Sequence, residues 1–226
     1  MDISVDVQAC PYPNNGHALR HHFFQNTMQS EFFSYLQLGF SHIADLQAYD
    51  HILFVTALCA LYDLRQWRHL LWLVTAFTIG HSVTLALSTL NILIFSSAVV
   101  EALIPLTIIA TALVNVASLQ RQQEYQTNTS RIQEWSKYAM ALCFGFIHGM
   151  GFSTFLKSLL GREISITMPL FAFNCGLECG QILIVAVILT LGFLVNRYTR
   201  LARRDWSLLV SGAALGVALT LVLKNI

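Results

Sequence analysis

Five long apolar segments restrict what this chain can fold into. They cover residues 68–90, 92–119, 137–160, 164–196 and 206–223, and a helix needs roughly 20 apolar residues to cross a bilayer. Hydrophobic residues make up 55% of the chain and charged residues only 11%, whereas a soluble domain carries ~25% charged residues. The sequence therefore predicts an all-α fold, a polytopic membrane helix bundle.

A shorter apolar segment precedes these five. The residues from His51 to Tyr62 are too few to cross a bilayer alone, so we expect about six transmembrane helices with a short or broken first span. The half-apolar stretch from Glu31 to Leu46 is typical of a helix that lies at the interface or dips into the membrane. Residues 1–30 are polar and are predicted to form an N-terminal segment outside the membrane, with residues 31–226 as the transmembrane domain.

The positively charged residues are unevenly distributed among the predicted loops. An N-terminus outside the membrane would place nine of the 13 Lys and Arg residues on the inner side, as the positive-inside rule requires. The nine are Arg65, Arg68, Arg121, Arg131, Lys137, Arg197, Arg200, Arg203 and Arg204. We therefore predict a multi-pass protein of a bacterial inner membrane with both termini in the periplasm. A formal net charge of +1 without a long basic run gives no indication of a nucleic-acid partner.

Ionisable residues inside the apolar segments are the next informative feature. Asp50 and His51 open the short first span, and three longer spans contain His81, His148 and Glu178. An unpaired charge at the bilayer centre costs roughly 2.5–3.5 kcal/mol, so we expect these side chains to meet inside the bundle. Imidazole and carboxylate groups together suit a divalent metal ion such as Ni²⁺, Co²⁺ or Zn²⁺. We predict one metal site in the outer half of the bilayer, with the three histidines as ligands and Asp50 or Glu178 completing it.

Other polar residues are predicted to support this site. Asn174 and Gln181 share a helical face with Glu178, and glycines close to His148 and Glu178 would let the helices approach one another. The residues expected to orient the ligands or to line the route to them are His42, Glu101, Asn174 and Gln181.

Two other sets of residues are weaker candidates. Cys175 and Cys179 lie off the face of Glu178 and are interpreted as small packing residues. The polar N-terminal segment contains a histidine cluster that could capture metal ions or could simply be solvated. Its members are His17, His21 and His22.

Several motifs occur in a fixed order on the successive segments. They are Gly39-Phe-Ser-His42, Tyr49-Asp-His-Ile-Leu-Phe54, Thr75-Ala-Phe-Thr-Ile-Gly-His81, Val100-Glu101-Ala-Leu, Phe144-Gly-Phe-Ile-His148-Gly and Phe173-Asn174-Cys-Gly-Leu-Glu178-Cys-Gly-Gln181. From about Gly39 to the end of the fourth long segment, the chain resembles the HupE/UreJ family. This resemblance implies a bacterial membrane protein for nickel or cobalt uptake, that is, a metal permease. The metal ion and the lipid bilayer are its expected partners.

Other functions are compatible with the same residues. A metal-dependent intramembrane hydrolase that acts on a lipid or a membrane peptide could use the same ligands, although the chain lacks His-Glu-x-x-His and Gly-x-Ser-x-Gly motifs. A metal-free proton or hydrogen-bond network and simple helix association are further alternatives. A permease also needs a polar route beyond the site, which Thr107, Thr111 and Asn115 could provide.

Overall fold

The computed structural model describes residues 16–46, 49–125, 131–160 and 166–225, and within them all side chains except those at 16–29, 121–125, 131–134, 160 and 225. In these residues the chain forms seven α-helices and no β-strand. The helices are α1 (Gly16–Ile43), α2 (Asp50–Cys59), α3 (Trp67–Thr89), α4 (Ser97–Tyr125), α5 (Arg131–Leu160), α6 (Thr167–Tyr198) and α7 (Arg203–Asn225). The predicted all-α bundle is confirmed.

Five of these helices, α3 to α7, are long and apolar enough to cross a membrane. The ten-residue α2 is apolar but too short to do so, as expected of a short first span. The second long span begins later than the apolar pattern predicted. Asn91 has a positive φ of 58°, and the N–H of Ile92 bonds to the carbonyl of Leu87 at 2.9 Å. This left-handed residue ends α3, so residues 92–96 form a connection before α4 begins at Ser97.

Helix α1 packs lengthwise against α6 instead of lying across the bundle. A Cβ atom added to Gly39 would overlap the backbone oxygen of Phe173, and one added to Gly176 would overlap that of Leu36. Gly180 lies against Ile43, near the end of α1. The residue numbers of the contacting positions increase in the same direction along both helices, so α1 and α6 run parallel. Glycine allows this approach because there is no side chain between the two backbones.

Helices α3 and α5 form a second parallel pair with equally close packing. Gly145 on α5 meets the backbone of Phe77, and Gly149 meets that of His81. Helix α6 runs in the opposite direction to α3, since Thr75 contacts Glu178 whereas the later His81 contacts the earlier Phe173. Two parallel pairs of opposite direction therefore form this part of the bundle.

The break between α1 and α2 positions the candidate site. Helix α1 ends at Ile43, and α2 begins at Asp50 and packs against α4, α6 and α7. One buried apolar cluster lies on the α1 side of the break and includes Ile43, Leu170 and Phe173. A larger one surrounds α2 and includes Phe54 and Phe77. The polar ends of α1 and α2 meet between these two clusters.

Candidate metal site

Four histidines from four helices come together at this break. The ring centroid of His51 lies 4.7 Å from that of His42, 5.1 Å from that of His148 and 6.2 Å from that of His81. His42 ends α1, His51 begins α2, and the other two lie within α3 and α5. His51, His81 and His148 are buried, with exposed fractions of 4%, 0% and 1%. We call these four residues the histidine cluster.

Hydrogen bonds fix the orientation of two of these rings. The Nδ1 of His51 lies 3.0 Å from Oδ1 of Asp50, which also accepts the backbone N–H of His51 at 2.9 Å. The Nδ1 of His148 lies 2.9 Å from the carbonyl oxygen of Phe144. Because a carbonyl oxygen can only accept, Nδ1 of His148 carries the proton, and a carboxylate likewise favours a proton on Nδ1 of His51. In the neutral form of each ring Nε2 is then the free acceptor, which is the tautomer that prepares histidine for a metal.

The free ring nitrogens are donors of the type that divalent transition metals bind. In the described part of the chain, Nε2 of His42, His51 and His148 and both ring nitrogens of His81 are buried without a hydrogen-bond partner. Such groups are costly to bury unless something binds them. Two imidazoles that bind one tetrahedral ion at about 2 Å have ring centroids about 5 Å apart, close to the spacing of this cluster. The donor set and its spacing are therefore compatible with a metal ion.

The side chains do not yet form a finished coordination shell. Among the residues that the structure describes, no three His, Cys, Asp or Glu side chains are arranged around a single point as metal ligands. Ligation would require the rings to turn toward one another within the cluster. Each of the four rings also has an aromatic neighbour, with centroids separated by no more than 6.5 Å.

Phenylalanine side chains cover the histidine cluster on both sides. Phe152 lies 3.9 Å from His42 and stacks on Phe173 at 4.9 Å between centroids, with 14° between the rings. On the other side, Phe54 and Phe77 lie 4.8 Å apart, and each is within 5.2 Å of His148. These pairs could not be predicted from the sequence, because a single phenylalanine in an apolar helix is typical of an ordinary core residue.

Glu178 and Gln181 form a separate polar group on the α2 side of the histidine cluster. The hydroxyl of Thr75 donates to Oε1 of Glu178 at 2.6 Å, and that of Thr78 donates to Oε1 of Gln181 at 2.8 Å. Thr75 precedes His81 by six residues on α3, which is roughly 9 Å along the helix axis. In the structure Asp50 therefore bonds to a histidine, whereas Glu178 bonds to Thr75.

The other predicted residues occupy varied positions. Asn174 is half-buried and donates to the carbonyl of Leu170 at 2.8 Å, while its buried Oδ1 has no partner among the described atoms. Glu101 lies on an exposed part of α4, where it accepts a hydrogen bond from Ser97 at 2.6 Å. His42, expected only in a supporting role, is as close to His51 as any other ring. The N-terminal histidines, His17, His21 and His22, lie outside the described side chains.

The three polar residues of α4 that were predicted to line a route are buried and hydrogen-bonded. Thr107 and Thr111 are buried and donate to carbonyls one turn earlier in their own helix. The side chain of Asn115 donates to the carbonyl of Ala57 at 2.7 Å and to Ser211 at 3.3 Å. Asn115 therefore adds a second hydrogen bond to a carbonyl in the last turn of α2 that already accepts the backbone N–H of Ala60.

The fold and the five apolar helices define a multi-pass helical membrane protein. A family model described as HupE / UreJ protein matches residues 18–224, and the chain belongs to this family. It is a transporter-type family associated with nickel and cobalt transport. No curated protein and no solved structure matches the chain.

Proposed function

We propose that this chain is a permease for a divalent transition-metal ion of the nickel or cobalt type, with the histidine cluster as its intramembrane site. The observation that supports this most directly is the set of buried ring nitrogens without partners. Four imidazoles, two of them oriented by hydrogen bonds, provide neutral nitrogen donors. Such donors suit Ni²⁺, Co²⁺ and Zn²⁺. Family membership supports the same class of cargo.

Asp50 and Glu178 have different roles in this proposal. Asp50 holds His51 through Nδ1, so it acts as the carboxylate partner of a metal-binding histidine. Glu178 is the next anionic group beyond the cluster, on the α2 side, where Thr75 holds it. An ion that leaves the cluster in that direction would meet a carboxylate before the apolar core around α2. Asn174 and Gln181 line the same face of α6 with unpaired polar atoms.

The hydrolase alternative has less support in the geometry. A metal-dependent hydrolase needs a general base near the open coordination position. Asp50 already accepts two hydrogen bonds from His51, and Glu178 accepts one from Thr75. The transporter-type family agrees with a protein that is not an enzyme.

Nickel uptake by the purified protein tests the proposal. Reconstituted in vesicles, the chain should carry radioactive nickel down a concentration gradient with saturable kinetics, and cobalt should compete. Uptake should rise with pH across the acidic range, because protons compete with the ion for the imidazole nitrogens. Vesicles that contain a His81→Ala/His148→Ala variant serve as the control. Equal uptake by this variant and by the parent would contradict the proposal.

We also propose that the protein lies in a bacterial inner membrane with both termini in the periplasm. Arg203 bonds to Asp63 at 2.8 Å and to Gln66 at 3.0 Å, so basic residues near the starts of α3 and α7 gather at one end of the bundle. This is the end that the positive-inside rule assigns to the cytoplasm. In a variant without native cysteines, Lys224→Cys should react with an impermeant thiol reagent in spheroplasts, whereas Arg200→Cys should react only after lysis. The reverse pattern would invert the topology.

A further inference from the structure

Two helices of this chain carry the same motif at the site. Leu36-x-x-Gly39-Phe40-x-His42 on α1 recurs on α5 as Leu142-x-x-Gly145-Phe146-x-His148. Their partner helices also share a motif, Ala-Phe-x-x-Gly, which occupies residues 76–80 of α3 and 172–176 of α6. The four motifs therefore define two helix pairs, α1 with α6 and α5 with α3.

The contacts within these pairs correspond position by position. Gly39 meets the carbonyl oxygen of Phe173 and the nitrogen of Leu177, and Gly145 meets the same two atoms of Phe77 and His81. The reverse contacts agree as well. Gly176 faces the backbone of Leu36 and Phe40, and Gly80 faces that of Leu142 and Phe146. A shared motif and the same set of contacts indicate an internal structural repeat.

The two halves of this repeat are inverted. Helix α1 runs parallel to α6, α5 runs parallel to α3, and α3 runs opposite to α6, so each motif appears once in each direction. A pseudo-two-fold axis in the membrane plane relates such halves. His42 and His148 are equivalent under this relation, so the histidine cluster lies between the halves. Secondary transporters built from inverted repeats place their substrate sites at this position and often beside a broken helix.

The same relation connects one phenylalanine of each pair that covers the histidine cluster. Phe173 and Phe77 occupy equivalent positions in the Ala-Phe-x-x-Gly motif. Phe173 stacks with Phe152 on the side where α1 begins, and Phe77 contacts Phe54 on the side where α2 ends. We name them the α1-side pair (Phe152 and Phe173) and the α2-side pair (Phe54 and Phe77).

The two pairs differ in how completely they are enclosed. Phe54 and Phe77 are fully buried, with exposed fractions of 0% and 1%, within the large apolar cluster around α2. Phe152 is only half-buried. The α1-side pair is therefore the thinner of the two barriers between the histidine cluster and its surroundings.

We propose that the histidine cluster is an occluded site between two phenylalanine gates, and that the two inverted halves open these gates in turn. The α1-side pair closes the site toward the side where α1 begins, and the α2-side pair closes it toward the opposite side. This inference rests on the proposed permease function, because gates on both sides of one site are the requirement for alternating access. The glycine contacts pack the two helices of each pair closely together, so each pair can rock as a unit against the other.

Thiol labelling at the centre of the site tests the gates. In a background without native cysteines, His42→Cys provides one reporter within the cluster, and an impermeant methanethiosulfonate reagent is added to right-side-out or inside-out vesicles. Phe152→Ala should accelerate labelling from the α1 side only, and Phe77→Ala from the α2 side only. Because the ring contact within each pair helps to hold its gate closed, we expect an acceleration of about fivefold, equivalent to ~1 kcal/mol.

Matched variants separate gating from loss of packing. Phe193→Ala removes an exposed ring from α6 and should leave both labelling rates unchanged. If Phe77→Ala does not fold, Phe77→Leu retains an apolar side chain but removes the flat ring, and it should give the same sidedness. Acceleration from the same side by both gate variants, acceleration from both sides by either one, or no acceleration by either would overturn the proposal.

The labelling results and the uptake results fail independently. Sided labelling without nickel uptake by the parent would retain the two gates and reject the metal as cargo. Nickel uptake without sided labelling would retain the cargo and reject the gates.

Discussion

His81→Ala and His148→Ala should each lower the affinity for nickel by about 100-fold or more, because removing a ligand costs more than the 10–100-fold effect of losing a partner that only orients one. Both residues are buried, both belong to the histidine cluster, and each presents at least one ring nitrogen without a partner. The measurement is titration of the purified protein with nickel, together with metal analysis after removal of free ions.

Two other variants serve as controls for the loss of nickel affinity. His69→Ala should bind nickel like the parent, because His69 is exposed and lies 3.4 Å from the hydroxyl of Tyr138, away from the cluster. Asp50→Asn should have an intermediate effect of about 10–100-fold, since it weakens the hold on His51 but leaves every imidazole in place. The shared site would be rejected if the variants at His69, His81 and His148 all retained the parent affinity.

Gly145→Ala and Gly39→Ala should each destabilise the bundle by about 1–3 kcal/mol or more, which is the usual cost of overpacking a well-packed interior. The added methyl group would overlap the backbone oxygen of Phe77 in the first variant and that of Phe173 in the second. A backbone atom cannot rotate away, so one helix must shift. Thermal unfolding in detergent, followed by circular dichroism, measures the loss.

Glycines on α7 provide the control for this prediction. Gly212 and Gly216 have no atom within 4 Å of an added Cβ, so Gly212→Ala should be neutral or slightly stabilising because alanine favours the helix. The shift expected for Gly145→Ala should also move His81 and weaken nickel binding. If Gly145→Ala unfolds at the parent temperature, the packing between α3 and α5 is looser than the structure shows.

The helices could be predicted from the sequence because long apolar runs have few structural options in a bilayer. The apolar pattern predicted α3 to within one residue at each end, residues 68–90 against Trp67–Thr89. It missed the start of α4, where an apolar stretch continues through a turn set by the backbone of Asn91. Hydrophobicity predicts membrane depth, but it does not predict where a backbone leaves the helix.

The candidate site was only partly predictable for a different reason. The face of a single helix shows that His81 and Glu178 both point inward, but it does not show which turn of α3 meets which turn of α6. That register brings Glu178 to Thr75 instead of to His81. His42 was underestimated because it ends a half-apolar helix, where a solvated histidine is common. The repeated Gly-Phe-x-His motif on α1 and α5 was the available signal for its importance.

The break between Ile43 and Asp50 also determines the electric field at the histidine cluster. The backbone dipoles of α1 leave partial negative charge at its C-terminal end, beside His42, which favours a cation. Those of α2 leave partial positive charge at its N-terminal end, beside His51, which opposes one. Asp50 lies in the first turn of α2 and offsets that positive end. The C-terminal end of α1 therefore attracts a cation to the histidine cluster. The charge of Asp50 prevents the N-terminal end of α2 from cancelling that attraction.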